Sequence, residues 1–383
     1  MDFDFDIPVD RQGTHSLRWE KYAGRDVIPL WVADMDFRSP PAVIDALRRR
    51  VEHGVYGYTL PPPELSALIV ERMQRLYGWS IDPAWIVFLP GVVTGLYLAA
   101  SRLTRTEEHI LSPSPVYYHL FRASQSAPRA FSDVAMALAR GRWVWDEGRM
   151  AAAVKPNSRM LMLCNPHNPG GTVFTGDELA RIAAFAAQHD LLIVSDEIHC
   201  DLLLDQDKPH VPIASLAPEV SRRTITLMAP SKTFNIAGAG VAFALIEDAG
   251  LRKAFSFDLK KSVHDATLFG YVAAEAAYRD GGPWLAALLD YLRGNRDLLQ
   301  AAVARLPGIE MAHLESTYLA WIDCAGLDLA DPHAHFLKHG LGVSPGADFG
   351  APSFVRLNFG TQRSVLATAL ARMERAVLDA KRA

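Results

Sequence analysis

Between Arg159 and Glu197 the sequence runs RMLMLCN, then TGDELARIAAFAAQHD, then DLLIVSDE. Two apolar runs of strand length flank a segment in which Leu179, Ile182, Ala183 and Ala186 recur at helical spacing, and Thr175 with Glu178 forms a capping-box pattern. Strand, helix and strand in this order make one βαβ unit. TITLMAP and GVAFALIE continue the alternation, as expected of an α/β fold with a mainly parallel sheet covered by helices.

From Pro283, WLAALLDYLRGNRDLLQAAVARLPG reads as a long helix with a Pro-Gly stop, after which the pattern shortens. A domain boundary in that helix predicts a large domain over 45–285. Residues 1–44 and 286–383 then form a smaller α+β domain. LPPPELS near residue 62 reads as a loop entering a helix.

Lys and Arg total 39 against 43 Asp and Glu, a net charge of −4 with no basic block to neutralise a phosphate backbone, so nucleic acid is not an expected partner. The three cysteines Cys164, Cys200 and Cys324 are far apart with no CxxC spacing, which argues against a disulfide framework or a zinc site. The acidic start MDFDFDIPVDRQG lacks the features of a signal peptide, and no apolar run is long enough to cross a bilayer. A cytoplasmic location with no membrane contact is expected.

In open parallel sheets ligands bind at the carboxyl ends of the strands. Three strands here run into polar groups: NPHNPGG offers Asn165 and Asn168, SDEIHCD offers Asp196 and His199, and APSKTF offers Ser231 and Lys232. Lys232 lacks the glycines of a phosphate-binding P-loop, and neither a GxSxG elbow nor an HExxH motif is present. A lysine that condenses with an aldehyde cofactor remains.

The order NPHNPGG, SDEIHCD, SKTFNIAG and FVRLNFG resembles the fold-type I pyridoxal-phosphate enzymes of the class I/II aminotransferase superfamily. DRQGTHSLRW, LWVADMDF, GVYGYT and PSPVYYHLF are similar to its MalY/PatB branch of cystathionine β-lyases, or C-S lyases. The resemblance covers about Asp10 to Phe359. It implies that Lys232 holds pyridoxal 5′-phosphate covalently, Asp196 pairs with the pyridine nitrogen, and Asn168 bonds the ring hydroxyl, with His199 near it. It places Tyr117 on the ring face, the backbone of Val92, Val93 and Thr94 with the Ser231 hydroxyl at the phosphate, and Tyr58 at the phosphate of a neighbouring subunit in a homodimer. Arg356 is the expected clamp for the substrate carboxylate.

Each residue also has a plainer reading. Asp196 could instead be a helix cap, His199 a structural histidine, Asn168 the organiser of a turn, Tyr117 core and Arg356 an exposed strand residue, but the functional reading is favoured for each. Ala229 and Gly240 depart from the serine and arginine that many aminotransferases use for phosphate. The implied activity is β-elimination from an S-substituted L-cysteine to thiol, pyruvate and ammonia. An amino-acid aminotransferase would use the same residues, and a non-catalytic regulatory binding protein is the alternative from another class.

Overall fold

The computed structural model describes residues 3–125, 129–257 and 264–382. Seven strands, β1 Ile86–Leu89, β2 His109–Ser114, β3 Ala130–Ala135, β4 Ser158–Cys164, β5 Leu192–Asp196, β6 Thr224–Met228 and β7 Ala242–Leu245, form one sheet in the order β1-β7-β6-β5-β4-β2-β3. Every residue of β5 and β6 is buried, as a sheet covered on both faces requires. The expected strands are all present.

Strands β2 to β6 pair in parallel, whereas β7 runs antiparallel to both β1 and β6. A parallel return needs a crossover, usually a helix. Between β6 and β7 the chain makes no α-helix, only a turn over 231–235 and the 3-10 helix Ala237–Ala239, so it folds back beside the strand it has left.

The expected capping box closes the start of the Gly176–Gln188 helix. Thr175 Oγ1 accepts the Glu178 amide at 3.3 Å, and Glu178 Oε2 accepts the Thr175 amide at 2.8 Å. Its stripe of Leu179, Ile182, Ala183 and Ala186 is buried against Leu161, Leu163 and Ile193. The helix Val92–Leu103 lies over β6. A side chain at Gly95 would meet the Leu227 side chain at 2.7 Å, so the glycine lets the helix pack here without displacing Leu227.

Strands β8 Glu310–Met311, β9 Leu319–Asp323, β10 Ser344–Pro345 and β11 Phe354–Asn358 make a second, antiparallel sheet in the order β8-β9-β11-β10. The helices Gly282–Val303 and Arg363–Ala380 share its core, through Leu288, Leu292, Leu366 and Met373 against Val355 and Leu357. Phe5, Leu30 and Met35 from the start of the chain enter the same cluster, as do Leu202 and Phe234 from beside the large sheet.

The first residues are anchored by charge as well as by apolar contact. Arg18 is fully buried; its Nε donates to Pro29 O at 2.7 Å and its Nη2 lies 3.0 Å from Asp36 Oδ2. Arg11 donates to Asp36 Oδ1 at 2.9 Å and Trp19 Nε1 to the same oxygen at 3.0 Å. Burying these charges is tolerable because each has an opposite partner and further hydrogen bonds. DRQGTHSLRW thus clasps LWVADMDF.

The three cysteines are buried and unpaired. Among the described residues no helix is long and apolar enough to cross a membrane.

Candidate active site

The chain segments leaving β1, β4, β5 and β6 open onto one cavity of about 420 Å³, a size suited to a small-molecule ligand. Asp196 is the last residue of β5. Asn168 follows β4, and Ser231 with Lys232 follows β6. The start of the Val92–Leu103 helix follows β1. Gly91, Val92, Val93, Tyr117, Asn168, Asp196, His199, Ser231, Lys232 and Arg356 all line this one space.

Burial controls the charges. It raises the Asp196 carboxyl to about 7, against the pull of the Ile198 amide, which donates to Oδ1 at 3.2 Å, and of the Lys232 ammonium. It lowers the Lys232 amine to about 8, although Asp34 and Asp196 draw it upward. The amine donates to Ala33 O at 2.6 Å. A lysine so depressed is neutral, and nucleophilic, in a substantial fraction of molecules near neutrality.

His199 is buried; burial, with Lys232 and Arg356 nearby, lowers it to about 3, so the ring is neutral. Its Nδ1 finds no hydrogen-bond partner among the described residues. Burial likewise lowers Arg356 to about 10. Its guanidinium sits 4.6 Å from the Phe349 ring centroid and donates to Asn168 Oδ1 at 3.0 Å and Trp31 O at 2.9 Å, while its buried Nε is unpartnered. Arg356 is therefore not an exposed strand residue. The bond to Oδ1 leaves the NH₂ end of Asn168 as the donor for a ligand. Tyr117 donates its amide to Asn168 O at 2.9 Å, and burial raises its hydroxyl far above the ordinary range.

The Val92–Leu103 helix begins at Gly91 without a side-chain cap, so its first amides are free to meet an anion in the cavity. Val92 and Val93 line the space, but Thr94 is not among its lining residues. Each helical residue turns by about 100°, which carries the Thr94 side chain away from the mouth but leaves its amide in the first turn. Tyr58 is fully exposed and lies outside the cavity, with Val55, Tyr56 and Leu60 exposed around it.

Trp31, Val32, Ala33, Tyr118, Ser344 and Phe349 also form the wall, and none was marked as a site residue by the sequence. The signal available was LWVADMDF itself. Asn358 Nδ2 donates to Val32 O and to Asp34 O, both at 2.6 Å, so the wall is held from β11. Behind the lysine, Thr233 donates to Asp201 Oδ2 at 3.0 Å, and Asp201 pairs with buried Arg72.

A nucleophilic amine, a buried carboxyl suited to a cationic partner, an uncapped helix start and a second cation together suit a ligand with a carbonyl, a protonated ring and two anionic groups. Residues 25–373 match the family described as aminotransferase class I and II, and the chain belongs to this family of enzymes. Within it the chain falls in the MalY/PatB branch. Cystathionine β-lyase PatB of Bacillus subtilis strain 168 is 35% identical over 97% of this chain and 99% of its own. The crystal structure of OvoB superposes with a TM-score of 0.96 at 49% identity, covering 98% of this chain and 99% of that one. The PLP-bound C-S lyase from Staphylococcus hominis superposes with a TM-score of 0.92 at 28% identity, covering 99% of both chains.

Proposed function

We propose that this chain is a pyridoxal 5′-phosphate-dependent carbon-sulfur β-lyase acting on S-substituted L-cysteines. The cavity fits the cofactor on its own chemistry. Lys232 is a buried amine low enough to condense with an aldehyde, and Asp196 is a buried carboxyl for which a pyridinium would be the missing cation. The free amides of Val92 and Val93, with Ser231, would take the phosphate, and Thr94 would support them from one position further along the helix. Asn168 and the unpartnered His199 Nδ1 would meet the ring hydroxyl side, and Tyr117 the ring face.

Bound there, the cofactor supplies an electron sink for negative charge developing at the substrate Cα. Arg356 holds the substrate carboxylate and so fixes which Cα substituent faces Lys232. Lys232 Nζ takes the Cα proton. With a pyridinium beside it, Asp196 would be held ionised and would supply the opposite charge that keeps a ring nitrogen protonated. The electron pair of the Cβ–S bond leaves with sulfur as thiolate, and hydrolysis of the remainder gives pyruvate and ammonia.

The observation that carries this reading is Lys232 facing Asp196 in one buried cavity, within a chain that matches PatB along nearly all its length. The test is L-cystathionine without any 2-oxo acid. Pyruvate and free thiol in equal amounts support the lyase. Turnover that appears only when an amino acceptor is added would make the chain an aminotransferase instead.

The functional unit is a homodimer in which exposed Tyr58 reaches the phosphate site of the other subunit. The apolar surface of Val55, Tyr56 and Leu60 suits such a contact. The large domain spans 45–285, with 1–44 and 286–383 forming the small one. Three unpaired thiols fit a reducing cytoplasm.

A further inference from the structure

The lining of the cavity includes three charged side chains that the chemistry above does not use: Lys21, Arg122 and Asp348. Lys21 Nζ sits 4.2 Å from the Trp31 ring centroid, and the Arg122 guanidinium 4.5 Å from that of Tyr118. Neither cation has a carboxylate within ion-pair distance among the described residues, and Asp348 has no cation at that distance. Both platforms are fixed. Trp31 Nε1 donates to Arg18 O at 3.1 Å, and its carbonyl accepts from Arg356. Tyr118 packs against Tyr117 with centroids 4.8 Å apart. Beside Lys21 and Asp348 lies His333, whose buried Nε2 has no hydrogen-bond partner.

A cation resting on an aromatic face is already partly ordered, so it loses less freedom when a ligand anion arrives. Arg356 is taken by the α-carboxylate, so these two cations are left to face the other end of the substrate. We infer that Lys21 and Arg122 form a second anion subsite, which selects S-substituted cysteines whose sulfur-bound fragment ends in a carboxylate. Asp348 weakens this field and disfavours a second negative charge on that fragment; His333 Nε2 offers it a neutral polar contact. The inference rests on the lyase reading for the identity of the fragment, and its test separates the two.

The probes are S-(2-carboxyethyl)-L-cysteine and its near-isosteric amide, S-(2-carbamoylethyl)-L-cysteine. Calorimetric binding to the cofactor-loaded Lys232→Ala protein reads recognition without turnover. Pyruvate release by the otherwise unaltered holoenzyme reads kcat/KM. The acid is expected to be preferred about tenfold, the size of effect two partly exposed charge contacts supply. In Lys21→Gln with Arg122→Gln the preference falls to about twofold or less, while the amide is handled as before. Equal affinity for acid and amide, or a preference that survives the double substitution, overturns the subsite. If neither probe yields pyruvate, the lyase reading falls and the calorimetric ratio still decides the subsite.

Discussion

Lys232 Nζ donates to the carbonyl oxygen of Ala33, 199 residues earlier in the chain, at 2.6 Å. The amine at the head of the large sheet is therefore oriented by a loop from the start of the chain. Lys232→Ala should abolish the visible absorbance that borohydride reduction removes, and lower turnover by about 10²–10⁴-fold. Near wild-type rates in that variant would refute its assignment.

Asp196 and Lys232 give the cofactor-free protein opposite pH dependences. Burial raises the Asp196 carboxyl from 3.8 to about 7, so between these values the folded state keeps a proton the unfolded chain has lost. Stability from this group falls as pH rises across the window. Lys232 is lowered from 10.5 to about 8, so from about 8 upward the unfolded chain binds more protons and stability rises with pH. Asp196→Asn should gain melting temperature relative to the parent between about pH 4 and pH 7 and bind cofactor more weakly. A constant difference across that range would contradict the buried carboxyl.

Arg356→Lys keeps a positive charge but loses the fork that engages Asn168 and Trp31. Steady-state kinetics should show kcat/KM down by about 10–10²-fold, mainly through KM. An unchanged KM would remove the residue from carboxylate recognition.

Asp36→Asn would leave fully buried Arg18 without its nearest carboxylate. Loss of one partner of a buried pair costs about 3–5 kcal/mol. Urea unfolding should read a cost near the lower figure, because Asp34 remains 3.8 Å from Arg18. An unmoved midpoint would show that the clasp adds nothing to stability.

The Lys232→Ala and Tyr58→Ala proteins should each be impaired alone. Co-expressed, they should recover about a quarter of parental activity, because mixed dimers carry one site with both residues intact. Absence of recovery, with mixed dimers isolated, would place Tyr58 outside the partner's site.

The sheet and much of the cavity were legible in the sequence because buried parallel strands are written as unbroken apolar runs, and the polar residues closing them stand out. Thr175 and Glu178 marked a helix start by side-chain chemistry alone. The direction of β7 was not legible, since an apolar run reads alike in either sense. Ala33 escaped because it acts through its carbonyl oxygen, which every residue carries. Lys21, Arg122 and Asp348 sit in no motif and meet only through tertiary folding.

Asn235, three residues past Lys232, accepts the Met35 amide at 2.9 Å and donates to Phe37 O at 2.7 Å. The leading segment is thus buttoned to the chain at the reactive amine and again three residues beyond it. A ligand that condenses with Lys232 would alter the amine's bond to Ala33 O and touch the wall formed by Trp31, Val32 and Ala33, so occupancy and the hold on this segment are coupled, and the coupling is reciprocal. Amide exchange near the start of the chain accordingly reports on occupancy of a site built mostly from elsewhere.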